Sequence, residues 1–158
     1  MRRWNLTQND PLALRLAADV RLGATDYADD QIWELTLAGG EPPALALRTT
    51  YGLRARDMRL FPAFREGDAV IIDPNEFAAP PAVNFFTVNL IQVSFSPLAD
   101  IHVVADYWAR GSHSVAGQFA ITNQRNVACS IQFLLCAVLR ALEGGTVMNH
   151  VKKESIQF

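Results

Sequence analysis

The chain has 158 residues, half of them apolar and 19% charged, with a formal net charge of -2. A length of this order fits one domain that buries roughly two-thirds of its unfolded surface, and the composition excludes a disordered chain. The charge balance excludes the broad basic footprint that bulk nucleic-acid binding needs. The opening "MRRWNLTQNDPLALRLAADVRL" carries positive charge, but Arg15 and Asp19 interrupt its apolar residues, so it does not read as a secretory signal. The first regular element is "IWELTLAGG", where Trp33, Leu35 and Leu37 face one way and Ile32, Glu34, Thr36 and Ala38 the other. Gly39-Gly40 and Pro42-Pro43 turn the chain, and "ALALRTTYG" returns as the second half of a hairpin.

Residues 48–64, "RTTYGLRARDMRLFPAF", read as a strand, a glycine-containing turn and a second strand. "GDAVIIDP" is a short apolar strand between turn residues, and "EFAAPPAVNFF" is expected to be a long loop stiffened by Pro80-Pro81. "VNLIQVSFSP" alternates in its second half. In "DIHVVADYWARGS", Ile101, Val103, Ala105 and Tyr107 share one face, and His102, Val104, Asp106 and Trp108 take the other. "SVAGQFAITN" and "VACSIQFLLCAVL" complete the series. An amphipathic helix over "SIQFLLCAVLRALEGG" is the rival for the last element; the strand is preferred because the alternation continues through an Asn-rich turn. Successive strands without helices between them predict an all-β, antiparallel, two-sheet β-sandwich. The whole chain, 1–158, is expected to be one such domain. Residues 144–158, with Lys152 and Lys153, are expected to form a mobile tail or a linker toward a further domain.

The apolar run Ile131–Leu139 contains Gln132 and is too short for a membrane span, so no membrane is expected as partner. Cys129 and Cys136 lie seven apart, which in one strand means opposite faces about 23 Å apart. No direct disulfide is expected, and both read as buried thiols in a reducing cytoplasm. His102, His113 and His150 lack metal-ligand spacing, and there is no nucleophile elbow, P-loop or dinucleotide fingerprint. Neither metal nor cofactor is expected. Asp26, Asp29, Asp30 and Glu34 in "DYADDQIWE" read as a solvated turn rather than a calcium loop. Asp57 and Asp106 are acids on strands without a partner at fixed spacing.

The aromatics carry more. Trp33, Tyr51, Phe61, Phe64, Tyr107 and Trp108 are the residues that could stack on apolar sugar faces, with neighbouring polar groups bonding the hydroxyls. Packing in the core is the commoner use of an aromatic on a strand. Trp108 is expected to be outward, since it shares a face with His102 and Asp106. Nearly all cations are arginine. Arg54, Arg56 and Arg59 beside Tyr51 and Phe61 would make a charged, planar surface suited to a sugar or a partner domain. The alternative is that their stems cover the sheet with heads in water.

In the order of its pieces the chain resembles the N-terminal β-sandwich of bacterial glucoamylase-like and glycogen-debranching-enzyme-like glycoside hydrolases. The stretches are "IWELTLAGGEPPALALRTTYGLRARDMRLFPAF", "VIIDPNEFAAPPAVNFFTVNLIQVSFSP", "IHVVADYWARGSHSVAGQFAITN" and "VACSIQFLLCAVL", covering about residues 31–139. The resemblance implies a supersandwich-like fold and a non-catalytic accessory domain. Its partner would be an (α/α)6 catalytic domain of the same polypeptide, and oligo- or polysaccharide its ligand. It carries over no catalytic residue, because the acid and base lie on the barrel. Two other readings stand beside it: a free-standing carbohydrate-binding or assembly module, dimeric through an uncovered sheet face, and a small sugar epimerase using His102 and Asp106.

Overall fold

The computed structural model describes residues 4–5, 13–16, 33–51, 56–87, 89–111, 114–141 and 154–156. Its strands are β1 (Trp4–Asn5), β2 (Ala13–Leu16), β3 (Trp33–Gly39), β4 (Ala44–Tyr51), β5 (Arg56–Glu66) and β6 (Ala69–Ile71). A 3-10 turn over Pro74–Glu76 follows. Then come β7 (Ala79–Phe86), β8 (Leu90–Leu98), β9 (Ile101–Gly111), β10 (Ser114–Asn123), β11 (Gln132–Ala141) and β12 (Glu154–Ile156). One sheet has five strands in the order β1-β7-β8-β9-β10. The other has seven, in the order β12-β11-β5-β4-β3-β2, with β6 paired to β5. Both are antiparallel and pack face to face, so the chain is an all-β sandwich. No helix among the described residues is long and apolar enough to cross a membrane.

Two expectations change. "EFAAPPAVNFF" is not a loop, because Ala79–Phe86 form β7. Proline has no N–H and is tolerated only where a ladder is broken. The β7–β8 pairing shifts between Ala79 and Ala82, which is where Pro80 and Pro81 sit. The same rule places the other strand prolines. Pro62 lies where β5 changes neighbour, between its last partner on β4 (Leu47↔Leu60) and its first on β6 (Phe64↔Ile71). Pro97 lies in the β8–β9 irregularity between Phe95 and Leu98. In the C-terminal stretch, Glu154–Ile156 pair with β11 as a strand, while 144–153 and 157–158 lie outside the described residues.

The core is the inner face of both sheets. Trp33, Leu35, Leu45, Leu47, Phe64 and Phe133 meet Val83, Ile91, Val93, Phe95, Val103, Ala105 and Tyr107. Six aromatic rings run through it in a chain, Tyr107–Phe119–Phe133–Phe64–Phe95–Phe77, with centroids 4.8–5.9 Å apart. At one end of the sandwich Arg125 ties the two sheets. Its guanidinium donates to both Glu66 carboxylate oxygens on the β5–β6 hairpin, and its Nε donates to the Ala99 carbonyl of the β8–β9 turn.

The Tyr107 hydroxyl is buried and has no hydrogen-bond partner among the described residues. Burial pushes this phenol well above its ordinary value. A raised pKa means the neutral phenol is favoured in the folded chain. Its contribution is intact below the unfolded value of about 10 and is lost as pH rises beyond it. Tyr107→Phe is therefore expected to raise stability at neutral pH by about 1 kcal/mol, since it removes an unpaired buried hydroxyl. It should also flatten the alkaline decline. Denaturant midpoints of both proteins, taken from pH 7 to 11, check this. A variant less stable than wild type at neutral pH would mean that the hydroxyl is satisfied.

Candidate functional site

The outer face of the five-stranded sheet is the candidate site. Strict alternation along β9 buries Ile101, Val103, Ala105, Tyr107 and Ala109 and turns His102, Val104, Asp106 and Trp108 outward, each half-buried. β8 and β10 flank this row. Gln92 lies opposite Asp106 and donates from Nε2 to its Oδ1 at 2.8 Å. Ser94 lies opposite Val104 and donates to the Asn84 side-chain oxygen at 3.2 Å. On the other side Ala116 is opposite Trp108 and Thr122 opposite His102. The small Ala116 leaves one flank of the indole uncrowded. At the far end His102 joins Pro80, Ser94 and Ser96 in lining an open groove of about 250 Å³. Six strand positions separate His102 from Trp108, roughly 20 Å at strand rise. The face is thus an elongated strip with an aromatic ring at one end, an amide–carboxylate pair near the middle and an imidazole-lined groove at the other.

The other predicted residues lie elsewhere. Arg59 is 4% exposed and Phe61 3% exposed, both on the outward side of β5 in the seven-stranded sheet. Ala44 and Ala46 of β4 are buried on that side as well and form a second small cluster with Phe61. The reason is the β3–β4 turn, which folds back over this face. Arg59 donates to the carbonyls of Gly39 and Pro42, and Arg140 donates to the carbonyl of Glu41. Arg48 donates to Asp57, which is thereby a structural partner and not a free acid. The Arg59 guanidinium also lies 5.6 Å from the centroid of the Phe61 ring. Burial first, and then the neighbouring Arg140, lower its pKa, with Asp57 opposing. Arg59 is therefore the clasp of a turn and does not present a charged surface. Tyr51 and Arg56 are a backbone pair at the end of the β4–β5 ladder, and their side chains lie outside the described residues, as does Arg54 altogether.

Of the candidate aromatic platforms, Trp33, Phe61, Phe64 and Tyr107 are core, and Trp108 alone among the described ones faces outward from a strand end. Cys129 and Cys136 form no disulfide and are half-buried, and Cys129 sits in the 124–131 connection and not on β11, which starts at Gln132. Asp26, Asp29 and Asp30 lie outside the described residues. Among the described residues no group of three or more His, Cys, Asp or Glu is arranged to hold a metal ion. Gln92 and Ser94 were not singled out by motif reasoning. Their signal is the two-residue Ala99–Asp100 turn, which folds β8 onto β9 and lays their side chains along the His102–Trp108 row. Comparison with protein-family models, curated proteins and solved structures finds no match for the chain.

Proposed function

We propose that this chain is a non-catalytic β-sandwich module of a carbohydrate-active enzyme, and that it holds an oligosaccharide along the outer face of its five-stranded sheet. One observation carries the reading: Trp108, Asp106 and His102 project from one strand face, with Gln92 orienting the Asp106 carboxylate. A half-buried, outward-facing indole can stack its ring face on the apolar face of a sugar, and an oriented carboxylate and amide bond the sugar's hydroxyls. The length of the strip suits a chain of sugars better than one ring. The resemblance of residues 31–139 to accessory sandwiches of glucoamylase-like enzymes points to α-glucan, and to an (α/α)6 domain on the same polypeptide as partner. Two cysteines without a disulfide are compatible with a reducing compartment.

The epimerase reading draws less support. Four strand positions, about 13 Å of backbone, separate His102 from Asp106, and the side chain that engages the Asp106 carboxylate is Gln92. The test is calorimetric titration with maltoheptaose and affinity electrophoresis in soluble starch and glycogen. Binding is expected, and Trp108→Ala should weaken it about tenfold, the equivalent of about 1.4 kcal/mol. No binding to any glucan, or binding that is indifferent to Trp108→Ala, Asp106→Ala and His102→Ala, would remove the proposal.

A further inference from the structure

We propose that β10 is a self-association edge, through which two copies of the chain pair antiparallel and merge their five-stranded sheets into one sheet of ten. Among the described residues β10 has a neighbour on one side only, β9. Among the described residues its outer side therefore presents a row of N–H and C=O groups with no strand partner, the usual template for adding another strand. Natural edges are blunted by shortness, charge, proline or a bulge. The other sheet ends are short: β1 has two residues, β12 three and β2 four. β10 has ten residues, "SVAGQFAITN", with no charged residue and no proline, and its only irregularity is at the Ser114/Val115 start.

The occupant is a second copy because the strand is complementary to itself. A two-fold axis pairs a strand with its own copy antiparallel. Keeping the core face continuous with the core face requires opposed residues to have the same parity. With the axis at Gln118, Gly117 stands opposite the partner's Phe119, and Val115 opposite the partner's Ile121, all on the core side. On the outer side Ala116 meets the partner's Ala120, and the two Gln118 amides meet on the axis; the match runs from Val115 to Ile121, inside the Ser114/Val115 irregularity. No charge opposes a like charge. The glycine already lies opposite Tyr107 in its own sheet, with the ring 3.5 Å from where a Cβ would stand. In the pair it would be covered by an aromatic ring from each side, an arrangement that compensates a strand glycine. The two Trp108 faces would then lie side by side on one surface, but the pairing stands whether or not that surface binds a glycan.

Sedimentation velocity of the full chain tests this. The expected result is a species of twice the 17.5 kDa chain mass that grows with concentration up to ~100 µM. Gln118→Lys puts two ammonium groups on the axis and should weaken association by more than about tenfold. Within one copy the lysine would lie opposite Asp106, so the fold accommodates it. Gln118→Thr, uncharged and strand-forming, should still dimerise. In the wild type, amide exchange across 114–123 should slow as concentration rises. A wild type that stays monomeric over this range, a dimer indifferent to Gln118→Lys, or exchange across β10 that ignores concentration would each overturn the proposal.

Discussion

Replacing Phe64 with alanine is expected to lower stability by about 3–5 kcal/mol, a large share of the whole for a domain of this size. Phe64 is 0% exposed and stands at the middle of the aromatic chain through the core. It pairs with Phe133 on β11 of its own sheet, ring centroids 5.6 Å apart, and meets Phe95 of the opposite sheet edge-on at 5.9 Å. Deleting the ring removes two edge-to-face contacts and leaves a cavity between layers that rest on each other there. The surroundings cannot close it, because Phe133 is held against Phe119 and Phe95 against Phe77. Guanidinium unfolding gives the midpoint and the slope. Phe64→Leu, which keeps most of the volume, should lose less than half as much as Phe64→Ala. A loss below about 1 kcal/mol for the alanine variant would mean that the sheets do not share this core.

Much of this was legible because strand alternation is a local property. His102, Asp106 and Trp108 could be assigned to one face from β9 alone, and the structure keeps them there. The partner of Asp106 was not legible, because it depends on register. Counted straight from the Leu98↔Ile101 closure, Gln92 would oppose Tyr107 and point an amide at the core. The irregularity between Phe95 and Leu98, at Pro97, shifts the ladder by one and brings Gln92 opposite Asp106. Pro80-Pro81 misled for a related reason. Proline argues against a strand only where both ladders are intact, and whether a ladder breaks at that residue is decided by the neighbouring strand.

Arg59 shows what no local rule supplies. The cluster of Arg54, Arg56 and Arg59 beside Tyr51 and Phe61 reads as a charged surface, and Arg59 does lie on the side of β5 away from the main core, opposite to Met58 and Leu60. The β3–β4 turn then covers that side, and the cation is absorbed by backbone carbonyls. The cover comes from residues 17 or more positions earlier in the chain, out of reach of any pattern centred on β5.

Arg59→Ala is accordingly expected to cost about 2–4 kcal/mol, although the residue is charged and touches no proposed ligand. The side chain donates three hydrogen bonds to the Gly39 and Pro42 carbonyls; a hydrogen bond to a charged group contributes about 1.5–3 kcal/mol net, but these three share two acceptors and do not add in full. Its guanidinium also lies over the Phe61 ring, 5.6 Å from the centroid, and truncation would uncover that ring. Burying a cation is itself unfavourable, so Arg59→Met, which keeps the stem and deletes the charge, should lose less than Arg59→Ala. Arg59→Lys should lose as much as alanine. A single ammonium cannot bridge two carbonyls as the fork does, and it would remain buried and poorly paired. Gly40→Ala should strike the same contact from the other side. At φ +82 an added Cβ is strained, and it would fall 2.5 Å from the Arg59 guanidinium carbon. The measurement is the denaturant midpoint of all four variants, with amide exchange over 39–44 reporting on the turn. If Arg59→Lys matched wild type, or if the turn amides were unmoved in Arg59→Ala, the guanidinium would be mere covering for the sheet. If alanine and lysine both loosen the turn while methionine spares part of the stability, the cation exists to hold the β3–β4 connection flat on β5.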